Sequence, residues 1–246
     1  MVLDESVPLT ANLPEDRAIR IRLAALLHDL GKPNTPHEYL YNPDGSVLGM
    51  HPGHDDPARF EDQLNQLAQR IRMPSHYRRF AASAALAHQD IHRIRDMSGR
   101  GLVNLYDRLD LARSLRYDTE LLDDLVLACT ADNFGRRTLM ADGSLKRPTR
   151  YRQGQWFKEA MLELHQLPVG QWMQEAMQRC DTLKKMNDAA KEGGITLDLT
   201  PEKVASLKKA QLENAKSYVL GQRRGYAKKL MDKIKASANE SSPSPQ

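Results

Sequence analysis

The stretch Arg22–Lys32 reads RLAALLHDLGK, an apolar helical pattern that ends in a histidine, an aspartate, a glycine and a lysine. Apolar side chains recur at i, i+4, i+7 and i+8, the spacing of a helix that faces a core. They are Ile19, Leu23, Leu26, Leu27 and Leu30. Gly31 is expected to end the helix as a C-cap glycine. The stretch predicts a core helix whose last turn presents polar groups.

Four more helical patterns follow before residue 131, separated by short breaks. They cover 59–71, 75–92, 100–114 and 119–130. Hydrophobic residues make up 40% of the chain and aromatic residues 6%, and the frequent Leu, Ala, Arg and Gln favour helices. We predict an all-α fold, an orthogonal helical bundle with a C-terminal helical extension.

The C-terminal extension is expected to contain helices near 156–166 and 169–190 and a last helix from Pro201 to about Lys235. We divide the chain into a first domain, 1–150, a helical region, 151–236, and a tail, 237–246, that is rich in Ser and Pro and predicted to be disordered.

The last helix carries most of the positive charge of the chain. Residues 201–246 contain ten Lys/Arg and four Asp/Glu, a local charge of +6. Clustered cations of this kind contact phosphates, so we predict an RNA-binding helix with stacking tyrosines at Tyr218 and Tyr226. The alternative is a solvated basic helix, and packing of its apolar stripe on the bundle is compatible with RNA binding. The predicted RNA contacts are Lys208, Lys209, Arg223, Arg224, Lys228 and Lys229.

Two loops interrupt the helical pattern. The longer one, from Pro33 to Pro57, is rich in proline and glycine and holds His37, His51 and His54. Loops of this length in compact domains are usually functional or disordered. A second polar loop is expected at 141–150.

Composition argues against secreted and membrane classes. Cys129 and Cys180 are the only cysteines, too few for a disulfide framework, and we interpret them as reduced thiols of a cytoplasmic protein. The chain has no run of 18 apolar residues, and its first residues lack the pattern of a signal peptide.

The pair His28-Asp29 at the end of an apolar helix is the strongest chemical signal. Imidazole nitrogen and carboxylate oxygen together bind divalent metals. Lys32 follows directly and can bind a substrate phosphate as a point charge. For the dipeptide alone, an ordinary surface helix end is the better interpretation.

Further histidines and aspartates shift that balance. His88 and His92 are i and i+4 on one helix face, while His54, Asp107 and Asp110 come from other elements. Several such groups entering a bundle from successive elements are typical of a metal site. The sequence therefore predicts a shared site around His28 and Asp29.

Order and spacing of these motifs resemble the HD domain of bacterial multifunctional CCA proteins, the CCA-adding tRNA nucleotidyltransferases. The resemblance runs to about residue 155. The matching segments are Arg22–Lys32, Gly53-His54, Arg72–Arg78, His88–Arg93, Leu109–Arg113 and Ala128–Arg136.

The resemblance implies a metal-dependent phosphohydrolase with 2′,3′-cyclic phosphodiesterase, 2′-nucleotidase and phosphatase activities. The metal would be Ni, Mn, Mg, Zn or Fe. Its implied ligands are His28, Asp29, His54 and Asp110, with Asp107 as the alternative to Asp110. The implied catalytic residues are Lys32, His88 and Asp90.

Three departures from the family affect these expectations. The nucleotidyltransferase head is absent from this sequence, so the chain alone is not expected to add nucleotides. Relatives have His-Asp where this chain has His88-Gln89-Asp90, which moves the carboxylate about 100° around the helix. The first histidine of the family would precede Met1, so we expect a longer gene product, a helix from another chain, or lost hydrolysis.

The sequence leaves three functions open. The first is a phosphohydrolase acting on nucleotides or RNA ends, tRNA among them. The second is a weakened HD scaffold that binds tRNA or other RNA for a separate nucleotidyltransferase chain. The third is a mobile-element protein whose target is a signalling nucleotide.

Overall fold

The computed structural model describes residues 1–43, 45, 47–53 and 57–240. The helices are α1 (Val2–Leu9), α2 (Glu15–Leu27), α3 (Pro57–Arg70), α4 (Ser75–His92), α5 (Gly99–Arg108), α6 (Leu111–Ser114), α7 (Leu121–Gly135), α8 (Gln153–His165), α9 (Val169–Arg179), α10 (Thr182–Glu192) and α11 (Pro201–Glu240). Short 3₁₀ helices cover Lys32–Asn34 and Ile94–Asp96. The predicted all-α class is confirmed.

One main apolar core joins helices from both ends of the chain. It includes Ile21 of α2, Ile91 of α4, Leu125 of α7, Phe157 of α8 and Leu230 of α11, all buried. The core therefore continues across the domain boundary predicted at residue 150. Helix α11 is part of the same packed body as the HD-like segment.

A second, smaller apolar cluster fixes helix α3. Phe60 and Leu64 of α3 pack against Leu27 of α2 and against Ala81 and Ala85 of α4. Alanines on α4 allow the helices to approach closely, so the end of α2 is held between the two clusters.

The prediction of which residues form the buried face of α2 is partly wrong. Leu26 is 57% exposed and Ile19 is also exposed, whereas Ala18, Ile21 and Ala25 are buried. Continuing the buried positions at helical spacing leads to His28, which is buried as well. The core-facing side of the helix therefore ends in the histidine.

Two predicted helix ends also differ. Helix α2 ends at Leu27, and Gly31 has φ −74°, so it is not a left-handed cap. The helix predicted over 100–114 breaks at Asp110, which has φ +47° and begins α6. At the C-terminus α11 extends to Glu240, into the predicted disordered tail, and 241–246 lie outside the described residues.

The first predicted loop, the second one and the two residues Thr138–Leu139 just before the second contribute strands to a small antiparallel sheet. Its strands are β1 (Glu38–Tyr41), β2 (Val47–Met50), β3 (Thr138–Leu139) and β4 (Leu145–Lys146), in the order β1-β2-β3-β4. Each loop folds as a hairpin, and β2 pairs with β3 through Val47 and Leu139. The sheet thus ties the two loops together.

Helix α1 packs closely on α7 at a glycine. A Cβ on Gly135 would lie 2.5 Å from Val2 Cγ2 and 2.7 Å from Val2 Cα. Only glycine permits this approach, which places the start of α1 beside the end of α7.

Within the described residues, no helix combines the length and the apolar character needed to cross a bilayer. Cys129 is buried, Cys180 is half-buried, and neither forms a disulfide.

Candidate metal centre

His28 stands at the end of α2 with its ring directed into the bundle. Its Nδ1 lies 2.9 Å from the carbonyl oxygen of Ala25, three residues earlier, and donates to it. The opposite nitrogen, Nε2, lies 2.9 Å from Asp29 Oδ2 and 3.3 Å from Asp132 Oδ1. The helix turn therefore aims one ring nitrogen at two carboxylates.

Asp132 reaches the cluster from α7 and is buried. Its Oδ2 accepts hydrogen bonds from His92 Nε2 at 2.6 Å and from Arg136 Nη2 at 2.8 Å. Burial alone would raise the pKa of this carboxyl, but the hydrogen bonds from His28 and His92 outweigh it and hold the pKa well below its usual range. Asp132 is therefore a charged carboxylate whose Oδ1 faces His28.

The surroundings of His28 favour positive charge. Burial opposes protonation of the ring, but hydrogen bonds and charges from Asp132 and Asp29 outweigh it and raise the pKa of His28 to about 9. Two carboxylates thus create a negative potential at this point in the interior.

His88 on α4 completes the group from the opposite side. Its Nδ1 donates to the carbonyl oxygen of Ala85 at 2.6 Å, and its Nε2 lies 3.9 Å from Asp29 Oδ1. Gln89 Nε2 donates to the same ring nitrogen at 3.1 Å. Burial, together with the nearby charge of His28, lowers the pKa of His88 to about 3, so the ring is neutral.

A cavity of about 560 Å³ opens over this cluster. Its lining includes Asp29, Lys32, His51, Arg93, Asp132 and Arg136. The volume lies in the range of small-molecule sites. Lys32 Nζ is 2.5 Å from Asp29 Oδ2. Carboxylates and cationic side chains therefore share one cavity, as a site for a metal and an anionic ligand requires.

The sequence of this chain matches the HD domain family over residues 3–136, more than half of its length. The chain belongs to the HD family. Similar curated proteins are the multifunctional CCA proteins of Paraburkholderia phymatum, 33% identical over 63% of this chain and 32% of the relative, and of Burkholderia multivorans, 36% identical over 57% and 29%. A third, from an Acidovorax species, is 37% identical over 55% and 27%.

This HD protein therefore spans about a third of the length of the curated relatives that it matches. No solved structure matches the chain. The expected relation to HD domains of multifunctional CCA proteins is confirmed.

Donors around His28 fit the divalent metal that the resemblance to HD domains implies. Both His28 and His88 donate Nδ1–H to a backbone carbonyl, the arrangement that fixes the tautomer of metal-binding histidines and leaves Nε2 as the ligand atom. Donors bound to one metal at about 2.0–2.2 Å lie about 3 Å apart, as Nε2 of His28 does from Asp29 and Asp132.

The described residues of the HD domain do not by themselves provide a complete set of metal ligands. Among the residues that the structure describes, no group of three or more His, Cys, Asp or Glu side chains surrounds one metal position. The predicted ligand His54 lies outside the described residues. The structure brings His28, Asp29, Lys32 and His88 together as the sequence suggested.

Neither predicted late aspartate is placed in this cavity. Asp110 is exposed at the start of α6, and Asp107 accepts two hydrogen bonds from Arg223 at 2.7 and 3.1 Å. Neither lines the cavity, where Asp132 takes the position beside His28. Asp110 and Asp107 instead lie where α5 ends and α6 begins.

The predicted catalytic Asp90 also lies away from the cavity. It pairs with Arg108, whereas its neighbour Gln89 lines the cavity and contacts His88. One residue along a helix rotates the side chain by about 100°, which accounts for the difference.

Cationic residues predicted to contact RNA fall into two groups. Arg223 is held by Asp107 and stacks over the ring of Tyr106, and Arg224 is partly buried. The other four, Lys208, Lys209, Lys228 and Lys229, are exposed. Arg223 therefore fastens α11 to α5, and the lysines face solvent.

Asp132 and Arg136 were missed as site residues, although a signal was present. Helix α7 is apolar on most of its surface, and a carboxylate on such a helix needs a partner. Arg136 follows Asp132 at i+4 and supplies one. Both residues also lie in the segment Ala128–Arg136, which resembles the family, so the resemblance could have pointed to them.

Proposed function

We propose that this HD protein is a metal-dependent phosphohydrolase that acts on 2′-phosphate or 2′,3′-cyclic phosphate groups of nucleotides or RNA ends. One observation carries the proposal: His28 and His88 have Nδ1 fixed to backbone carbonyls and Nε2 turned toward the carboxylate cluster beneath a cation-lined cavity. The multifunctional CCA proteins that resemble the chain add support for a role in tRNA 3′-end processing.

His28 Nε2 and Asp29 would hold the metal, and the predicted ligand His54, outside the described residues, would add to them. Asp132 Oδ1 lies 3.3 Å from His28 Nε2 and, with His88, is the nearest further donor. A divalent ion in such a site supplies Lewis-acid polarisation of a phosphoryl oxygen. His92 and Arg136 hold Asp132 Oδ2, which keeps its other oxygen directed at His28.

The cationic side chains that line the cavity would bind the phosphate group of the substrate. Lys32 and Arg136 each hold a carboxylate of the cluster and line the cavity. Charge-assisted hydrogen bonds from such groups orient a phosphate and offset charge that develops in the transition state.

The reaction is hydrolysis of a phosphoester by water. The water oxygen forms a bond to phosphorus, and a bond from phosphorus to a ribose oxygen breaks. That ribose oxygen leaves as a hydroxyl after gaining a proton, and the attacking water gives up one proton, so no proton is gained or lost overall. Asp29 and Asp132 line the cavity, so a carboxylate oxygen can accept a hydrogen bond that orients the water.

A second candidate function is RNA binding for a separate nucleotidyltransferase chain. The observation in its favour is the set of exposed lysines on α11, outside the cavity. The two functions are compatible, because the cavity and α11 use different residues.

The test of hydrolysis compares the purified chain with two variants, Asp132→Asn and His28→Ala. Substrates are 2′,3′-cyclic AMP, 2′-AMP and p-nitrophenyl phosphate, with Mn²⁺, Ni²⁺, Zn²⁺, Mg²⁺ or Fe²⁺. We expect loss of at least about 100-fold in kcat/KM for each variant, because removing a group beside a metal disrupts activity strongly.

Asp110→Asn is the matched control, since it removes another carboxylate that the family pattern suggested. We expect the activity of Asp110→Asn to stay within twofold of that of the parent chain. Removing the metal with a chelator should abolish the activity of both proteins. Loss of activity in Asp110→Asn with survival in Asp132→Asn would reverse the assignment. Inactivity of every form with every metal would leave RNA binding as the better account.

A further inference from the structure

Three aromatic rings form a row beside the cavity, on the β1–β2 hairpin and the residues next to it. The rings of His37 and His51 are parallel, with an interplanar angle of 3° and centroids 4.6 Å apart. Tyr39 contacts the His37 ring with centroids 4.5 Å apart and a tilt of 46°. We call these three residues the aromatic shelf.

The aromatic shelf contributes nothing to either apolar core. Tyr39 is 58% exposed, His37 is exposed and His51 is half-buried, and none belongs to a core cluster. A Cβ on Gly49 would lie 2.8 Å from His37 Nε2, so glycine in β2 makes room for that ring. The hairpin is thus shaped to hold rings that do not stabilise the fold by burial.

His51 connects the shelf to the cavity. It lines the cavity together with Lys32, Arg93 and Arg136, and His37 stacks on its ring. Arg93 is exposed and makes no ion pair among the described residues. The cavity therefore joins cationic groups suited to phosphate with an aromatic ring suited to a flat, polarisable group.

We propose that His51, supported by His37, stacks on the nucleobase of the substrate while the cations of the cavity bind its phosphate. This inference rests on the proposed hydrolysis and names the residues that would bind the base of its substrate. Purine and pyrimidine rings stack on aromatic side chains whatever their sequence, because every base has a π-face. Tyr39 extends the shelf outward, and His37 is a positioning residue that holds the His51 ring.

His51 could act through its ring face or through its nitrogen atoms, and the two roles respond differently to substitution. His51→Phe keeps a flat ring and removes both nitrogens, whereas His51→Ala removes the ring. A stacking role is restored by phenylalanine. A metal-binding, phosphate-binding or proton-transfer role is lost equally in both variants.

The experiment measures kcat and KM for 2′-AMP and for glycerol 2-phosphate, which has no ring, in the full chain and in His51→Ala, His51→Phe, His37→Ala and His37→Phe. Loss of base stacking should lower the preference for 2′-AMP over glycerol 2-phosphate by roughly 5-fold to 100-fold in His51→Ala. The change should lie in KM, and His51→Phe should recover most of it. His37→Ala should shift the preference in the same direction by less, with recovery in His37→Phe.

The matched control is His76→Ala, which removes an exposed histidine from another aromatic pair, with Tyr77, away from the cavity. It should leave the preference unchanged. A short RNA ending in a 2′,3′-cyclic phosphate is assayed alongside the mononucleotide. Equal losses for the RNA and the mononucleotide place the bound base in the nucleotide that carries the phosphate. A loss confined to the RNA leaves the 2′-AMP preference unchanged and overturns the proposal.

Calorimetric binding of AMP and of inorganic phosphate separates this inference from the proposed hydrolysis. Weaker AMP binding in His51→Ala, restored in His51→Phe, supports the shelf even if the parent chain hydrolyses nothing. Hydrolysis by the parent chain with equal preference in all five forms overturns the shelf and leaves the hydrolase proposal standing. If His51→Phe lowers the preference for 2′-AMP as much as His51→Ala does, the shelf is overturned as well.

Discussion

At the scale of single residues, Asp124 couples the two helices that carry the candidate metal centre. Its buried side chain, on α7, lies 2.6 Å from Arg17 Nη2 and also pairs with Arg20, both on α2. His28 directly follows the last residue of helix α2, and α7 carries Asp132. The same contact that stabilises the fold therefore sets the position of the two halves of the centre.

We expect Asp124→Ala to lower the free energy of unfolding by about 3–5 kcal/mol, since it leaves two partly buried arginines without their shared partner. Urea unfolding followed by circular dichroism measures the loss. Glu120→Gln is the control, because Glu120 also pairs with Arg17 but its side chain is 51% exposed. It should cost less than about 1 kcal/mol. Equal losses in the two variants would contradict the central role of Asp124.

Residue identities at the centre were only partly readable from the sequence. His28, Asp29 and His88 could be predicted, because histidines at the end of an apolar helix or in i, i+4 pairs are unusual. Asp132 could not be ranked above Asp110 from spacing alone, since both lie in segments that resemble the family. Burial separates them: Asp132 is 4% exposed and Asp110 is exposed.

At the scale of secondary-structure elements, helix α4 was predicted with the correct bounds and α7 with the correct start to within two residues. The small strands were not predicted, because β3 and β4 have two residues each and show no alternation. They are stabilised by pairing between distant loops, which local sequence does not contain. The buried face of α2 was predicted incorrectly because most residues on that face are alanines, which the pattern of large apolar side chains does not reveal.

Helix α11 is docked on α5 through a close contact at Gly99. A Cβ there would lie 2.5 Å from the backbone nitrogen of Lys228 and 2.8 Å from its Cα. Backbone atoms cannot move aside without shifting the helix. The contact thus fixes how near α5 and α11 can lie.

We expect Gly99→Ala to destabilise the protein by about 1–3 kcal/mol, the usual cost of overpacking. Gly221→Ala and Gly225→Ala are matched controls in α11, where an added Cβ meets nothing within 4 Å. These two should stabilise the helix by about 0.5–1 kcal/mol each, because alanine is the better helix former. Thermal unfolding of the three variants gives the comparison, and a shift of the same sign in all three would contradict the packing argument.

At the scale of the whole molecule, one side of α11 contributes to the main core and the other side forms a positively charged surface. Its buried side includes Leu230, Met231 and Ile234, which belong to the main core. Its exposed side carries the lysines that give the C-terminal segment its charge of +6. Deleting α11 would expose the core, so the proposed RNA binding by α11 has to be tested by changing surface charges alone.

If α11 binds an RNA backbone, the exposed lysines should set the salt dependence of binding. We expect replacement of Lys208, Lys209, Lys228 and Lys229 by glutamine to weaken binding of a tRNA at low salt. The slope of log K against log salt should flatten by roughly 0.7–0.9 for each phosphate contact that is removed. Fluorescence anisotropy with labelled tRNA at several salt concentrations measures both quantities.

Arg223→Gln provides the contrast within the same helix, because Arg223 is already paired with Asp107. Its loss should reduce the stability of the α5–α11 contact and leave the salt slope unchanged, since no phosphate contact is removed. An unchanged slope in the fourfold lysine variant would rule out phosphate binding by α11. A flattened slope in Arg223→Gln alone would mean that the arginine leaves Asp107 to bind RNA.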